Sequence, residues 1–172
     1  MLHVLPLSSL GFQASNAQFL IFLGVMILDN FAATSLANMG SCLFVSIEMA
    51  TVVIACWYEI CRLYGGWFIS PALLKQYNNW AFADALSYIK YAFVAVSLNE
   101  NESLTLTCTP SELSASGQCV ISPINVGPYT GEAFNRYYGY DLYTIKFCVG
   151  MLIVYIVVCK IISYLALRFI KI

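Results

Sequence analysis

The chain has 172 residues, of which 60% are hydrophobic and only 10% are charged, and its formal net charge is -1 at pH 7. Its mean hydropathy of +0.77 implies more apolar surface than one soluble core of this size can bury, so lipid must solvate much of the chain. The small net charge gives no case for binding to nucleic acid or to an anionic membrane surface, because both need clustered Lys and Arg.

Residues 1–13 are expected to be an irregular N-terminal remnant. Their short apolar run is interrupted by Pro6, and neither a basic segment nor a small-x-small cleavage site accompanies it. This pattern does not fit a secretory signal. We therefore expect the chain to begin inside a larger membrane domain.

Three segments are long and apolar enough to cross a bilayer, because a hydrocarbon core of about 30 Å needs about 20 helical residues. The first is 17–36, in which Asp29 is the only charge. The second, 41–66, follows the short connection 37–40, which predicts an antiparallel helical hairpin. The third, 144–167, is followed by basic residues.

Four ionisable side chains fall within the first two of these segments, where a charge costs about 2.5–3.5 kcal/mol at a helix centre. Glu59 and Arg62 lie on one helical face, so we expect them to pair. The pair either faces a cavity and sets its polarity or is purely structural. Asp29, with Asn30, is expected to face Glu48 across the hairpin.

The segment from about 71 to 98 is interpreted as re-entrant or interfacial. Gly65-Gly66 and Pro71 break the second span, and polar residues such as Asp84 and Lys90 divide the apolar run that follows. Irregular backbone at this depth must be covered by protein or water. A plain fourth transmembrane helix is the alternative.

The loop from about 99 to 143 is predicted to lie outside the cytoplasm. Asn101 begins an N-x-Ser glycosylation acceptor, and Cys108 and Cys119 either form a disulfide in an oxidising compartment or are free thiols. The loop carries five acidic residues and a single basic one, whereas basic residues follow the third span. The positive-inside rule then places the C-terminus in the cytoplasm.

Motifs for catalysis are absent from the sequence. No phosphate-binding Gly-x-x-x-x-Gly-Lys-Ser/Thr motif occurs, and His3 is the sole histidine. We therefore expect no ATP hydrolysis, no metal site and no enzymatic activity in this chain itself.

A series of motifs in a fixed order resembles the C-terminal half of the transmembrane domain of G-subfamily ATP-binding-cassette exporters, the white and pleiotropic-drug-resistance types. The resemblance extends from about residue 13 to the end of the chain. The motifs follow the apolar hairpin in the order Gly65-Gly66-Trp67-Phe68, Trp80, Ser87, Lys90-Tyr91-x-Phe93, Ala95, Asn99-Glu100, a cysteine-bearing loop, Tyr129-Thr130-Gly131-Glu132 and Gly139-x-Asp141.

This resemblance implies an all-α membrane fold in which residues 14–172 form part of a six-span exporter domain. The three spans would be its last three, with re-entrant helices and a large external loop bridged by its two cysteines. Two such domains would meet at a cavity and export a lipid, sterol or xenobiotic across the plasma membrane or an endomembrane. ATP and magnesium would be held by a nucleotide-binding domain outside this chain.

The resemblance also implies roles for particular residues. Trp67 and Phe68 would form a plug between the cavity and the exit, although interfacial anchoring is the alternative role for these aromatics. The residues expected at or near the substrate cavity are Cys56, Trp57, Tyr58 and Glu59.

The sequence also departs from the family pattern. The plug is aromatic instead of a leucine pair, and Glu59 and Arg62 are charged where relatives are often apolar. A four-span scaffold or a regulatory membrane protein without transport activity is the competing interpretation.

Gly131 is expected to occupy a turn with positive φ.

Overall fold

The structure, a computed structural model, describes residues 16–76, 85–106 and 129–169. This part of the chain contains six α-helices, one pair of very short antiparallel strands and one 3-10 turn. The elements are α1 (Asn16–Leu43), α2 (Ile47–Leu63), α3 (Pro71–Gln76), α4 (Tyr88–Asn101), β1 (Thr105–Leu106), β2 (Tyr129–Thr130), α5 (Gly131–Tyr138), the 3-10 turn Tyr140–Leu142 and α6 (Ile145–Phe169).

Helices α1 and α6 are each long and apolar enough to cross a membrane, over Ala17–Leu43 and Ile145–Phe169. Only 22% and 17% of their most apolar windows are buried, so most of their apolar side chains face outward. A core helix of a soluble protein would be mostly buried instead. The described residues therefore agree with the predicted all-α membrane class.

The predicted connection at 37–40 is wrong, because α1 continues through these residues to Leu43 and the break falls at 44–46. Ser46 caps α2 by accepting a hydrogen bond from the Met49 amide. Gly40 lies against the side chain of Ile54, which a Cβ at this position would overlap. The glycine thus allows α1 and α2 to approach closely and does not form a turn.

Helix α2 is shorter and less buried than the two long helices. Its 17 residues correspond to about 26 Å of helix, and only Ala50 and Cys61 are buried. The predicted span 41–66 therefore contains a helix slightly shorter than a bilayer core. That the segment 41–66 crosses the membrane stays a prediction.

Helix α4 contributes many buried residues to the core and packs against both α1 and α6, which also contact each other directly. Val94 and Ala95 are fully buried on it, and they pack in one cluster with Ala32 of α1 and with Cys148 and Leu152 of α6. Its 14 residues amount to about 21 Å of helix, which is too short to cross a bilayer. The choice between a re-entrant segment and a fourth transmembrane helix over about 71–98 stays a prediction, because residues 77–84 lie outside the described part of the chain.

The segment 129–142 folds back onto the end of α4. The Gly131 amide donates a hydrogen bond to the Leu104 carbonyl at 2.7 Å, beside the β1–β2 pair. Gly131 is the first residue of α5, and the glycines with positive φ among the described residues are Gly66 and Gly139. The prediction of a positive φ at Gly131 is therefore wrong.

Several sequence predictions fall outside the described residues. These are the irregular remnant 1–13, the part of the re-entrant segment at 77–84 with Trp80, and the part of the external loop at 107–128 with the bridge between Cys108 and Cys119.

Candidate functional site

The candidate site is the carboxyl end of α2 together with the bend that follows it. α2 ends at Leu63, and residues 65–69 form the bend, in which Gly66 has φ +92°. Trp67 and Phe68 directly follow this glycine and are 69% and 62% exposed. The structure therefore places the predicted plug residues together, on the surface of this chain.

Two side-chain hydroxyls hold this bend and the helix end before it. Ser87 donates to the Cys61 carbonyl at 2.7 Å, and Tyr140 donates to the Gly66 carbonyl at 2.8 Å. Burial raises the pKa of Tyr140 to about 12, and the neighbouring Tyr138 adds to this shift. The Tyr140 phenol therefore stays protonated at neutral pH and remains a hydrogen-bond donor.

The four residues predicted at the cavity do not share one face of α2. Trp57 is half-buried, and its indole N–H donates to the Tyr155 hydroxyl of α6 at 3.3 Å. Cys56, Tyr58 and Glu59 are exposed. Trp57 thus joins α2 to α6, and only the other three are available to a ligand or to another subunit.

The predicted pair between Glu59 and Arg62 is present. The carboxylate and guanidinium approach to 2.8 Å, and the two side chains are 53% and 56% exposed. The pair therefore lies on the outward face of α2, beside Tyr58. Its two opposite charges offset each other there, which reduces the cost of placing them near lipid.

Asp29 does not face Glu48 as predicted. Glu48 lies in the first turn of α2, next to the connection, whereas Asp29 is about 20 Å of helix before the end of α1. Across the core, Asp29 lies close enough to the Tyr88 phenol for the two groups to interact electrostatically. One Asp29 carboxyl oxygen is buried with no hydrogen-bond partner in the described structure. Asp29 and Glu48 are not opposite each other because the hairpin break lies at 44–46, later than the predicted connection at 37–40.

Lys90 is a site residue to which the sequence analysis assigned no role, although it interrupts an apolar run and belongs to the motif Lys90-Tyr91-x-Phe93. It is 1% exposed, and its ammonium lies over the rings of Tyr91 and Tyr143 at 4.4 and 4.8 Å. The ammonium also donates to the Tyr143 hydroxyl at 3.4 Å. A buried cation between two aromatic faces ties α4 to the start of α6.

The glycosylation acceptor Asn101 ends α4 and is partly buried. Its amide nitrogen donates to the Asn135 side-chain oxygen of α5 at 2.7 Å. Glycosylation at this position stays a prediction. Across the described ranges, no group of three His, Cys, Asp or Glu side chains is placed to hold a metal ion.

Comparison with known families gives one match that covers more than half of the chain. Residues 2–101 match the family described as ABC-2 type transporter. The matched region runs through α1 and α2, contains the bend with Trp67 and Phe68, and ends at the last residue of α4. No curated protein matches the chain.

Proposed function

Because the chain belongs to the ABC-2 type transporter family, we propose that this integral membrane protein forms part of the membrane domain of an ATP-driven exporter. A nucleotide-binding domain is the partner that this family implies, and it would hold the ATP and magnesium. The present chain would contribute the path for the substrate, with no enzymatic activity of its own. Two membrane domains would enclose the cavity.

The finer assignment is to the C-terminal half of a G-subfamily membrane domain. The order of elements supports it, because a hairpin of two apolar helices precedes the glycine bend, the short buried α4 and the last long helix. In this arrangement the segment 129–142 lies outside the cytoplasm or in a lumen. The basic end of α6, which includes Arg168, lies in the cytoplasm.

Lipophilic cargo is supported by the outward face of α2. Val52 and Ile60 are 60% and 46% exposed on this helix, as are Cys56 and Tyr58 nearby. A surface of this kind suits a lipid, sterol or xenobiotic, because apolar contact supplies most of the binding energy in such cavities. The Glu59–Arg62 pair would give the cavity one polar position.

The single observation that carries the gating proposal is the exposure of two adjacent large aromatic side chains directly after a helix end. Trp67 and Phe68 are among the most exposed aromatic residues described, although each could bury a large apolar area. Contact with the same two aromatic residues of a second membrane domain would bury Trp67 and Phe68 and close the path of the substrate. Opening the path would separate the two pairs after cargo has passed.

Replacing both Trp67 and Phe68 with alanine in the complete transporter is expected to raise ATP turnover without cargo and to lower cargo movement per ATP. The physical reason is that alanine cannot fill the space that closes the path. Transport into sealed vesicles and ATP hydrolysis, measured together against a panel of lipids, check this result.

Phe31→Ala is the matched control for this experiment, because Phe31 is an equally exposed aromatic on α1, at 59%. It should leave the ratio of transport to hydrolysis unchanged. If the double alanine variant only lowers the amount of protein, the aromatic pair is an interfacial anchor. If the complete protein moves no cargo at all, the result favours a scaffold or regulatory membrane protein over a transporter.

Glu59→Gln is expected to change the relative rates for neutral and charged cargo while changing stability by less than about 1 kcal/mol. Stability should change little because the ion pair is exposed to more than half on both sides. The relative rates should change because the substitution leaves Arg62 as an unbalanced charge at the cavity. Glu48→Gln, at an exposed position in the first turn of the same helix, is the control. An unchanged cargo profile would make the pair purely structural.

A further inference from the structure

Tyr140 makes a contact with the bend after α2 across 74 positions of sequence. It is 2% exposed, and its hydroxyl donates to the carbonyl of Gly66, the residue directly before Trp67. A hydroxyl this deeply buried must be hydrogen-bonded, and the main-chain oxygen of Gly66 satisfies it. The bend is therefore held in position by a side chain that lies 74 residues later in the sequence.

A continuous series of ring contacts runs beside this hydrogen bond. Phe93 of α4 meets Trp67 on one side and Tyr140 on the other, each with ring centroids 5.9 Å apart and planes at 81°. Tyr140 then stacks on Tyr138 at 5.6 Å, and Tyr138 meets Phe134 at 4.6 Å. Trp67 is thus connected to α5 through packed aromatic rings.

The turn that carries Tyr140 is itself firmly placed. Gly139 ends α5 in the left-handed region, with φ +77°, and a Cβ there would lie 2.9 Å from the main-chain nitrogen of Ala72 in α3. The Tyr143 amide closes the 3-10 turn by donating to the Tyr140 carbonyl at 3.0 Å. A displacement of α5 must therefore displace Tyr140, and with it the Gly66 carbonyl.

We propose that Tyr140 is the positioning residue for the aromatic pair Trp67 and Phe68, so that α5, the 3-10 turn and the pair move together. The role of the pair in transport rests on the function proposed above. The positioning itself is a property of this fold. Movements of the segment 129–142 would thus be transmitted to the pair without any contact to the cargo.

The test is the rate at which a polar maleimide labels a cysteine introduced by Phe68→Cys in the complete transporter, with Cys56→Ser as background because Cys56 is exposed. Tyr140→Phe removes one oxygen and leaves the ring contacts. Losing a buried hydrogen bond of about 1 kcal/mol should change the labelling rate about fivefold. Tyr138→Phe is the matched control, because its ring belongs to the same series but is one step further from Trp67.

A loosening of the whole segment is distinguished by a second reporter, Tyr137→Cys, which lies on the exposed side of α5. Labelling at 137 should be the same with and without Tyr140→Phe. If Tyr140→Phe does not fold, Phe93→Leu cuts the ring series and keeps the hydrogen bond, and it should also change labelling at 68. An unchanged rate at 68 in the variant that folds, or equal changes at 68 and 137, overturns the proposal.

The outcome is separable from that of the transport experiment. A changed labelling rate at 68 together with normal coupling in the double alanine variant would support the positioning role and remove the gating role. An unchanged labelling rate at 68 together with uncoupled transport in the double alanine variant would support the gating role and remove the positioning role.

Discussion

Gly131→Ala is expected to destabilise the protein by about 3 kcal/mol or more. A Cβ on Gly131 would overlap the main-chain carbonyl of Asn101, and the Asn101 Cβ lies only 2.8 Å from the same position. Main-chain atoms cannot rotate away as the end of a flexible side chain can. The Gly131 amide is also fixed by its hydrogen bond to Leu104, so relief of the overlap would break the contact between α4 and α5.

Thermal unfolding in detergent, followed by tryptophan fluorescence, measures this effect. For a chain of this size each kcal/mol lowers the midpoint by about 2–4 °C, so a decrease of about 6 °C or more is expected. Gly150→Ala is the control, because nothing lies within 4 Å of a Cβ at that position in α6. The control should be neutral or slightly stabilising, since alanine favours helix over glycine by about 1 kcal/mol. Equal midpoints for the two variants would contradict the close contact at Gly131.

Local sequence patterns predicted the features that depend on neighbours within a few residues. The apolar runs identified α1 and α6, and the spacing of Glu59 and Arg62 identified their ion pair. The glycine pair before Trp67 identified the bend, which uses Gly66 at positive φ. In each case the physical cause is contained in the segment itself.

Features that depend on distant contacts were not predictable in the same way. Gly40 looked like a turn residue and Gly131 like a positive-φ residue, yet Gly40 lies within a helix against the Ile54 side chain, and Gly131 lies against the main chain of Asn101, which a Cβ would overlap. The predicted partner of Asp29 was wrong for a related reason, because the hairpin break lies several residues later than the glycine suggested. A sequence shows where glycine occurs but does not distinguish conformational need from close packing.

The part of the candidate site that sequence reasoning missed is the support of the bend. Tyr140 and Ser87 both bind main-chain carbonyls near the end of α2 from other helices or turns. Carbonyl oxygens carry no sequence signature, so neither contact could be inferred from residue types. The available signals were the place of Ser87 in the ordered series of motifs and the high density of aromatic residues between 134 and 143.

Ser87→Ala is expected to destabilise the protein by about 2–4 kcal/mol, more than the loss of an ordinary helix cap. The hydroxyl of Ser87 accepts a hydrogen bond from the Lys90 amide and so caps α4, a contribution of about 1 kcal/mol. The same hydroxyl donates to the Cys61 carbonyl at 2.7 Å, and Ser87 is 1% exposed. Loss of a buried hydrogen bond adds about 1–3 kcal/mol, because water cannot replace the missing donor.

Two exposed caps provide controls that separate these contributions. Thr130 accepts from the Ala133 amide at the start of α5, and Ser46 accepts from the Met49 amide at the start of α2. Thr130→Ala and Ser46→Ala should each cost about 1 kcal/mol, since only a cap is lost. The additional loss of stability in Ser87→Ala, compared with these two controls, measures the hydrogen bond from Ser87 to the Cys61 carbonyl, which connects the end of α2 to the start of α4. If all three midpoints fall equally, the contact with Cys61 contributes nothing, and Tyr140 alone would hold the bend that carries Trp67 and Phe68.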